Sequence, residues 1–192
     1  MEIIVISILS YLMGSIPFGF ILTKIFLKKD IRDIGSGNIG ATNALRTGNK
    51  SLGYGTLFLD VIKAVIPVIY VKLNYSDYIF IASLCTFLGH IFPIWLKFKG
   101  GKGVATFLGI LFALNYILAI IFIIIWLFTL SIFKYSSLSS IISALSIPIA
   151  VYFFNNEKDI FFYIILFVLI LFNHRENIKR LKNKEEKKIN LF

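Results

Sequence analysis

Of 192 residues, only one is cysteine, two are histidine and four are proline. The lone Cys85 lies in an apolar run, which excludes a disulfide within the chain. His90 and His174 stand without a Cys pair or a His–Glu cluster, so no metal centre is expected, and no cofactor. Charge is scarce as well, at 16% of residues. The opening MEIIVISILSYLMG holds Glu2 and no Lys or Arg. It lacks the positive start of a cleaved secretory signal and reads as a retained first span.

What the chain has in quantity is apolar surface. Hydrophobic residues make up 58%, 20 residues are Phe, and the mean hydropathy is +0.85. A soluble domain of this size could not hide so many apolar groups, so the class is an all-α integral membrane protein in a lipid bilayer. The net charge of +10 could suggest nucleic acid. Its distribution argues against that partner, because the basic residues fall in the gaps between apolar segments, where membrane orientation explains them.

Apolar segments run over 3–27, 53–73, 78–96, 104–133, 138–154 and 159–173. Most fit the roughly 20 residues a helix needs to cross a bilayer. The fourth is 30 residues without a charge, about 45 Å as one helix, which is long for one span and short for two. Parity decides it. With a break near Asn115 there are about seven spans, the N-terminus outside and the C-terminus cytoplasmic. Loops at about 28–52 and 97–103, Lys134 and the tail 174–192 then share the inner face, and only Lys72 and Lys158 stay outside. A single helix would export the basic residues of the tail, against the positive-inside rule. The whole chain, 1–192, reads as one transmembrane domain.

Three unusual stretches meet on that cytoplasmic face: residues 30–50 with GSGNIGATN, residues 89–103 with FKGGKG, and NHRENIKRL from 173. Gly35, Gly37 and Gly40 spell G-x-G-x-x-G, but a membrane helix precedes them where a dinucleotide fold needs a strand, and Asp60 falls inside the second span. The surviving physics is that of anion nests, in which Gly-flanked backbone N–H groups receive phosphate. Ser36, Asn38, Thr42 and Asn43 add neutral donors, and Arg46 and Lys50 add charge. Lys97, Lys99 and Lys102 around Gly100, Gly101 and Gly103 repeat the pattern. No Ser or Thr follows Lys102, which argues against a metal-bound nucleoside triphosphate. Two such loops point to a site for two phosphates; a lipid-contacting loop is the plain alternative. His174 and Asn177 share a face if the last helix continues. Asp60 and Lys63 form an i,i+3 pair inside a span, where charges are costly and often functional.

Together GSGNIGATN with Arg46, GHIFPIWLKFKGGKGVAT and HRENI resemble the three signature regions of the acyl-phosphate-dependent glycerol-3-phosphate acyltransferases, the PlsY family. The likeness covers essentially the whole chain, including GSIPFG and LDVIK; Asn173 and Ala64 depart from the pattern. It implies transfer of a fatty acyl group from acyl phosphate to the 1-hydroxyl of glycerol 3-phosphate. The products would be lysophosphatidate and phosphate, in phospholipid synthesis at the bacterial cytoplasmic membrane. Ser36, Arg46, Lys102, His174 and Asn177 are the catalytic candidates, and by the same resemblance Ser137 and Ser140 line the site. Either His174 or a substrate phosphate oxygen serves as base. A soluble enzyme supplying acyl phosphate is a plausible partner.

Two other readings compete. A transporter of phosphorylated solutes would suit broken helices and Gly-rich loops, but no internal repeat is evident and the ligand groups lie at an interface rather than mid-membrane. An acyl-CoA-dependent enzyme would carry His-x-x-x-x-Asp, and neither His90 nor His174 has Asp five residues on.

Overall fold

The computed structural model describes residues 1–154 and 159–189; Lys158, expected on the outer side, lies outside these. Among the described residues the secondary structure is entirely helical, with no strand. The chain divides into two compact units, Met1–Leu114 and Asn115–Phe192.

The first unit holds α1 (Glu2–Ser15), α2 (Phe18–Leu27), the short α3 (Ala41–Leu45), α4 (Lys50–Asn74), α5 (Ile79–Ile91) and α6 (Val104–Leu114). Pro17 separates α1 from α2, since its ring and missing N–H interrupt the helical ladder. Asn49 caps α4 by accepting from the Leu52 amide at 3.3 Å, which starts that helix three residues before its apolar run. Glycines set the helix contacts. A Cβ at Gly14 would strike the Thr86 backbone, and one at Gly89 would strike the Tyr11 carbonyl, so α1 and α5 cross at backbone distance. Gly109 of α6 does the same against the Val61 carbonyl of α4, with Ala64 beside it. Lys72 reaches the Ala113 and Leu114 carbonyls at 2.8 and 3.0 Å and satisfies acceptors that the end of α6 leaves open.

The second unit holds α7 (Tyr116–Phe133), α8 (Ser136–Phe153), α9 (Ile160–Asn173) and α10 (Arg175–Lys182). The long apolar stretch is indeed interrupted at Asn115, whose extended backbone begins α7 and whose side chain accepts from the Ile117 amide at 3.0 Å. A 58° bend separates α9 from α10, so the last helix does not run straight past His174. Ile117, Ile120, Ile124, Leu127 and Phe128 of α7 are all exposed, an apolar face far larger than water tolerates.

Among the described residues, four helical stretches are long and apolar enough to cross a membrane: Glu2–Leu27, Ser76–Leu96, Tyr116–Phe133 and Ser136–Phe153. Taken as one span, the bent pair α9–α10 is a fifth. The α4 helix is long enough but carries Asp60, Lys63 and Lys72, and α6 is short.

Candidate active site

In the loop before α4, Asp30 caps a 3-10 turn at Ile31–Asp33 and pairs with Arg32 at 2.6 Å. The Arg32 hydrogen bond holds the Asp30 carboxyl below the usual carboxylate range, against a smaller opposing effect of burial. Gly35 and Gly37 take left-handed backbone, φ +59° and +71°, which reverses the chain over Asn43. Asn43 is buried and organises the loop. Its Oδ1 accepts from the Ser36 amide and hydroxyl at 2.9 and 3.2 Å, and its Nδ2 donates to the carbonyls of Ile31, Ile34 and Asn38 at 3.1, 2.8 and 2.8 Å. Asn38 in turn accepts from the Gly40 amide at 2.9 Å. Thr42 lies on the first turn of α3. The Arg46 side chain lies along Gly35, and its guanidinium has no ion pair or hydrogen bond among the described residues.

The second loop reverses through Lys97 and Phe98, both left-handed, before Gly100 and Gly101. Lys97 and Lys99 are exposed and Lys102 is half-buried. The Gly100 and Gly101 amides donate to the Ile91 and His90 carbonyls at 3.2 and 3.1 Å. Gly103, at φ +86°, packs on the Phe87 ring and leads directly into α6. Leu96 of this loop shares a buried cluster with Ile31, Ile39 and Ala44 of the first, with Phe20 against it. The two glycine-rich, cation-bearing loops therefore stand on one core.

The amides of Ser36, Gly37, Gly40, Gly100 and Gly101 are bonded within the protein. At these five positions the N–H groups meet acceptors of the chain itself.

In the second unit, His174 occupies the α9–α10 bend and is buried. Its Nδ1 lies 2.8 Å from the Ile170 carbonyl. A carbonyl only accepts, so Nδ1 carries the proton and neutral His174 has its lone pair on Nε2. Asn177, one turn on, is also buried and donates through Nδ2 to Glu186 at 2.6 Å. The same carboxylate accepts from Ser137 at 2.8 Å and Arg180 at 2.7 Å. Burial pushes the Glu186 carboxyl up, but these three hydrogen bonds outweigh it and hold the group below its usual range. Ser140 donates to the Ser136 carbonyl and accepts from Trp126 at 3.1 Å, which ties α7 to α8.

Sequence reasoning missed Glu186 and the Trp126–Ser140 bond. The first sits in NKEEKK, which reads as a solvated charge run, and no spacing rule marks it. It also passed over His90, which lies beside the Asp60–Lys63 pair.

These features define a class: a helical membrane protein with paired cationic, glycine-shaped loops and a buried histidine held through Nδ1 by a backbone carbonyl. The chain belongs to the glycerol-3-phosphate acyltransferase family, whose model matches residues 4–184. It is 68% identical to a glycerol-3-phosphate acyltransferase of Pelagibacter ubique over the full length of both chains. A Rhodopseudomonas palustris protein of the same name is 49% identical, covering 95% of this chain and 93% of that one. Two crystal structures of PlsY, an integral membrane glycerol 3-phosphate acyltransferase, are each 34% identical and cover 99% of this chain and 96% of their own. The glycerol 3-phosphate form superimposes with a TM-score of 0.93 and the lysophosphatidic acid form with 0.90.

Proposed function

We propose that this protein acylates the 1-hydroxyl of glycerol 3-phosphate with a fatty acyl group taken from acyl phosphate, releasing lysophosphatidate and inorganic phosphate. The acceptor follows from family membership. The observation that supports the two-phosphate reading is the buried cluster that Leu96 of the second cationic loop shares with Ile31, Ile39 and Ala44 of the first. Acyl phosphate is favoured over acyl-CoA because the chain lacks a His-x-x-x-x-Asp pair. The mixed anhydride also carries its own good leaving group.

The glycerol oxygen attacks the acyl carbonyl carbon, a new ester C–O bond forms, and the C–O bond to phosphate breaks. The hydroxyl proton passes to His174 Nε2 or to a substrate phosphate oxygen. Holding two reactants together supplies much of the rate, because it removes the entropy of encounter. Arg46 and Lys102 bind and neutralise phosphate, with the Ser36 hydroxyl turning from Asn43 to donate a hydrogen bond to it. Asn177 supplies a donor for the charge that develops on the acyl oxygen, and Ser137 lines the site. Asn38, Asn43, Thr42 and the glycines hold the loops in shape, and Ser140 holds α8.

In the membrane, the protein crosses about seven times with the N-terminus outside and the active site facing the cytoplasm, as the distribution of basic residues requires. It acts as one functional domain, supplied by a soluble enzyme that makes acyl phosphate. A donor-swap assay tests the reading. Purified protein in detergent is given glycerol 3-phosphate with either palmitoyl phosphate or palmitoyl-CoA. Equimolar lysophosphatidate and phosphate from the acyl phosphate alone is the expected result; turnover with the thioester alone would overturn the donor assignment.

A further inference from the structure

Beneath the FKGGKG loop lies a buried group of charges that the proposed reaction does not use. Asp60 and Lys63 of α4 pair at 2.7 Å with both side chains almost wholly buried. Desolvating two ions is expensive, and one pair rarely repays it by mutual attraction alone. This pair is tied to its surroundings. Lys63 also donates to the Ile16 carbonyl at 2.7 Å, where α1 gives way to Pro17, and its ammonium lies 5.8 Å from the centre of the Phe18 ring. Asp60 Oδ1 faces the imidazole of His90, with Nδ1 at 3.9 Å.

His90 is buried, and among the described residues its Nδ1 has no hydrogen-bond partner. A buried ring nitrogen in that position needs a reason. The opposite edge of the ring supplies one. A Cβ on Gly101 would overlap His90 Nε2 and its neighbouring carbons, so the ring lies directly against the Gly101 backbone. The His90 carbonyl meanwhile accepts the Gly101 amide, and the Ile91 carbonyl accepts that of Gly100. The residue grips the turn through its main chain and props it through its ring, while the Asp60 carboxylate packs against the ring's other side, beyond hydrogen-bond distance.

We infer that His90, set by the buried Asp60–Lys63 pair, is a positioning residue that fixes the Gly100–Gly101 turn and so the place of the Lys102 ammonium. The inference rests on the functional reading above, in which Lys102 binds a substrate phosphate. His90 touches no substrate; it acts through the loop. Misplacing a charge-assisted phosphate contact weakens substrate binding while leaving the remaining chemistry in place.

The test is steady-state kinetics of detergent-purified His90→Asn, with thermal melting of the same preparations. The expected result is a melting temperature near that of the wild type and KM for glycerol 3-phosphate or acyl phosphate raised roughly tenfold, with kcat much less affected. A purely structural role would lower melting and the active fraction with KM unchanged. A second comparison uses Gly101→Ala, whose methyl group collides with the ring, and the double variant with His90→Ala, which opens space for it. The KM defect of Gly101→Ala should be partly relieved in the double variant, because the two residues are in contact. Wild-type KM in folded His90→Asn, or strictly additive defects in the double variant, would overturn the positioning role alone. Absence of turnover by the wild type in the same assay would overturn the functional reading, and this inference with it.

Discussion

The imidazole of His174 donates from Nδ1 to the carbonyl of Ile170, 2.8 Å away and one helical turn back. In the neutral ring that bond keeps the proton on Nδ1 and the lone pair on Nε2, the arrangement a general base requires. His174→Asn preserves a donor toward Ile170 but removes the acceptor. It should fold normally and lose about 10²–10⁴-fold in kcat, the range for a positioned base. The loss should hold at every pH where the wild-type ring is neutral, and the imidazole limb of the pH–rate profile should vanish. A loss confined to acidic pH would instead assign the proton to a substrate phosphate.

Glu186 ties the tail to the second unit through Ser137, Asn177 and Arg180. The tail is fastened again where the Ile189 amide donates to the Lys134 carbonyl at 2.8 Å. The Glu186 carboxyl is held below its ordinary value in the folded protein, so the detached tail binds the proton more readily. The stabilisation is present above about 4.5 and is lost as pH falls through the folded value. Glu186→Gln should weaken the attachment by about 1–3 kcal/mol, typical of hydrogen bonds to a charged group. Hydrogen exchange at the Ile189 amide reads this directly. Exchange should quicken in the variant at neutral pH and respond less than the wild type to acidification.

How far these arrangements could be read beforehand depended on whether a local rule reached them. The Asn115 break was legible, because an uncharged run of 30 residues fits neither one span nor two in comfort and the tail's positive charge fixes the parity. The Asp60–Lys63 pair was legible as i,i+3 spacing on one helix. The contact of His90 with Gly101 was not, because it arises from a chain reversal through Lys97 and Phe98 that sequence spacing does not describe. The partners of the loop amides were not legible for a related reason. Glycine permits left-handed backbone, but the acceptors come from elsewhere: Asn43 for the Ser36 amide and the end of α5 for those of Gly100 and Gly101.

Lys102 and Arg46 differ in how the fold holds them, and substitutions should separate them. Lys102 is half-buried at the entry to α6, whereas the Arg46 guanidinium has no ion pair or hydrogen bond among the described residues. Lys102→Ala should reduce kcat/KM by about 10²–10³-fold without loss of folded protein, as for a removed electrostatic contact to the reacting group. Arg46→Lys keeps the charge but not the planar fork, and should lose roughly tenfold or more if the contact is bidentate. Wild-type kinetics for Lys102→Ala would remove the second loop from the site.

Asn43 gives the sharpest test of whether the first loop works by its shape. Its amide makes five hydrogen bonds, two accepted from Ser36 and three donated to carbonyls. Asn43→Asp is nearly isosteric yet abolishes the donors, leaving an anion facing the carbonyls of Ile31, Ile34 and Asn38. Asn43→Ala removes the acceptor for Ser36 as well but introduces no charge. An unpaired buried polar group costs about 1–3 kcal/mol, and more when charged, so the aspartate should be the more damaging of the two. Both variants should show protease cleavage between residues 31 and 43 and lowered kcat/KM, in that order of severity. Were the aspartate variant to keep wild-type protection and activity, the hydrogen-bonded hub could not be what sets the place of Ser36 and Arg46.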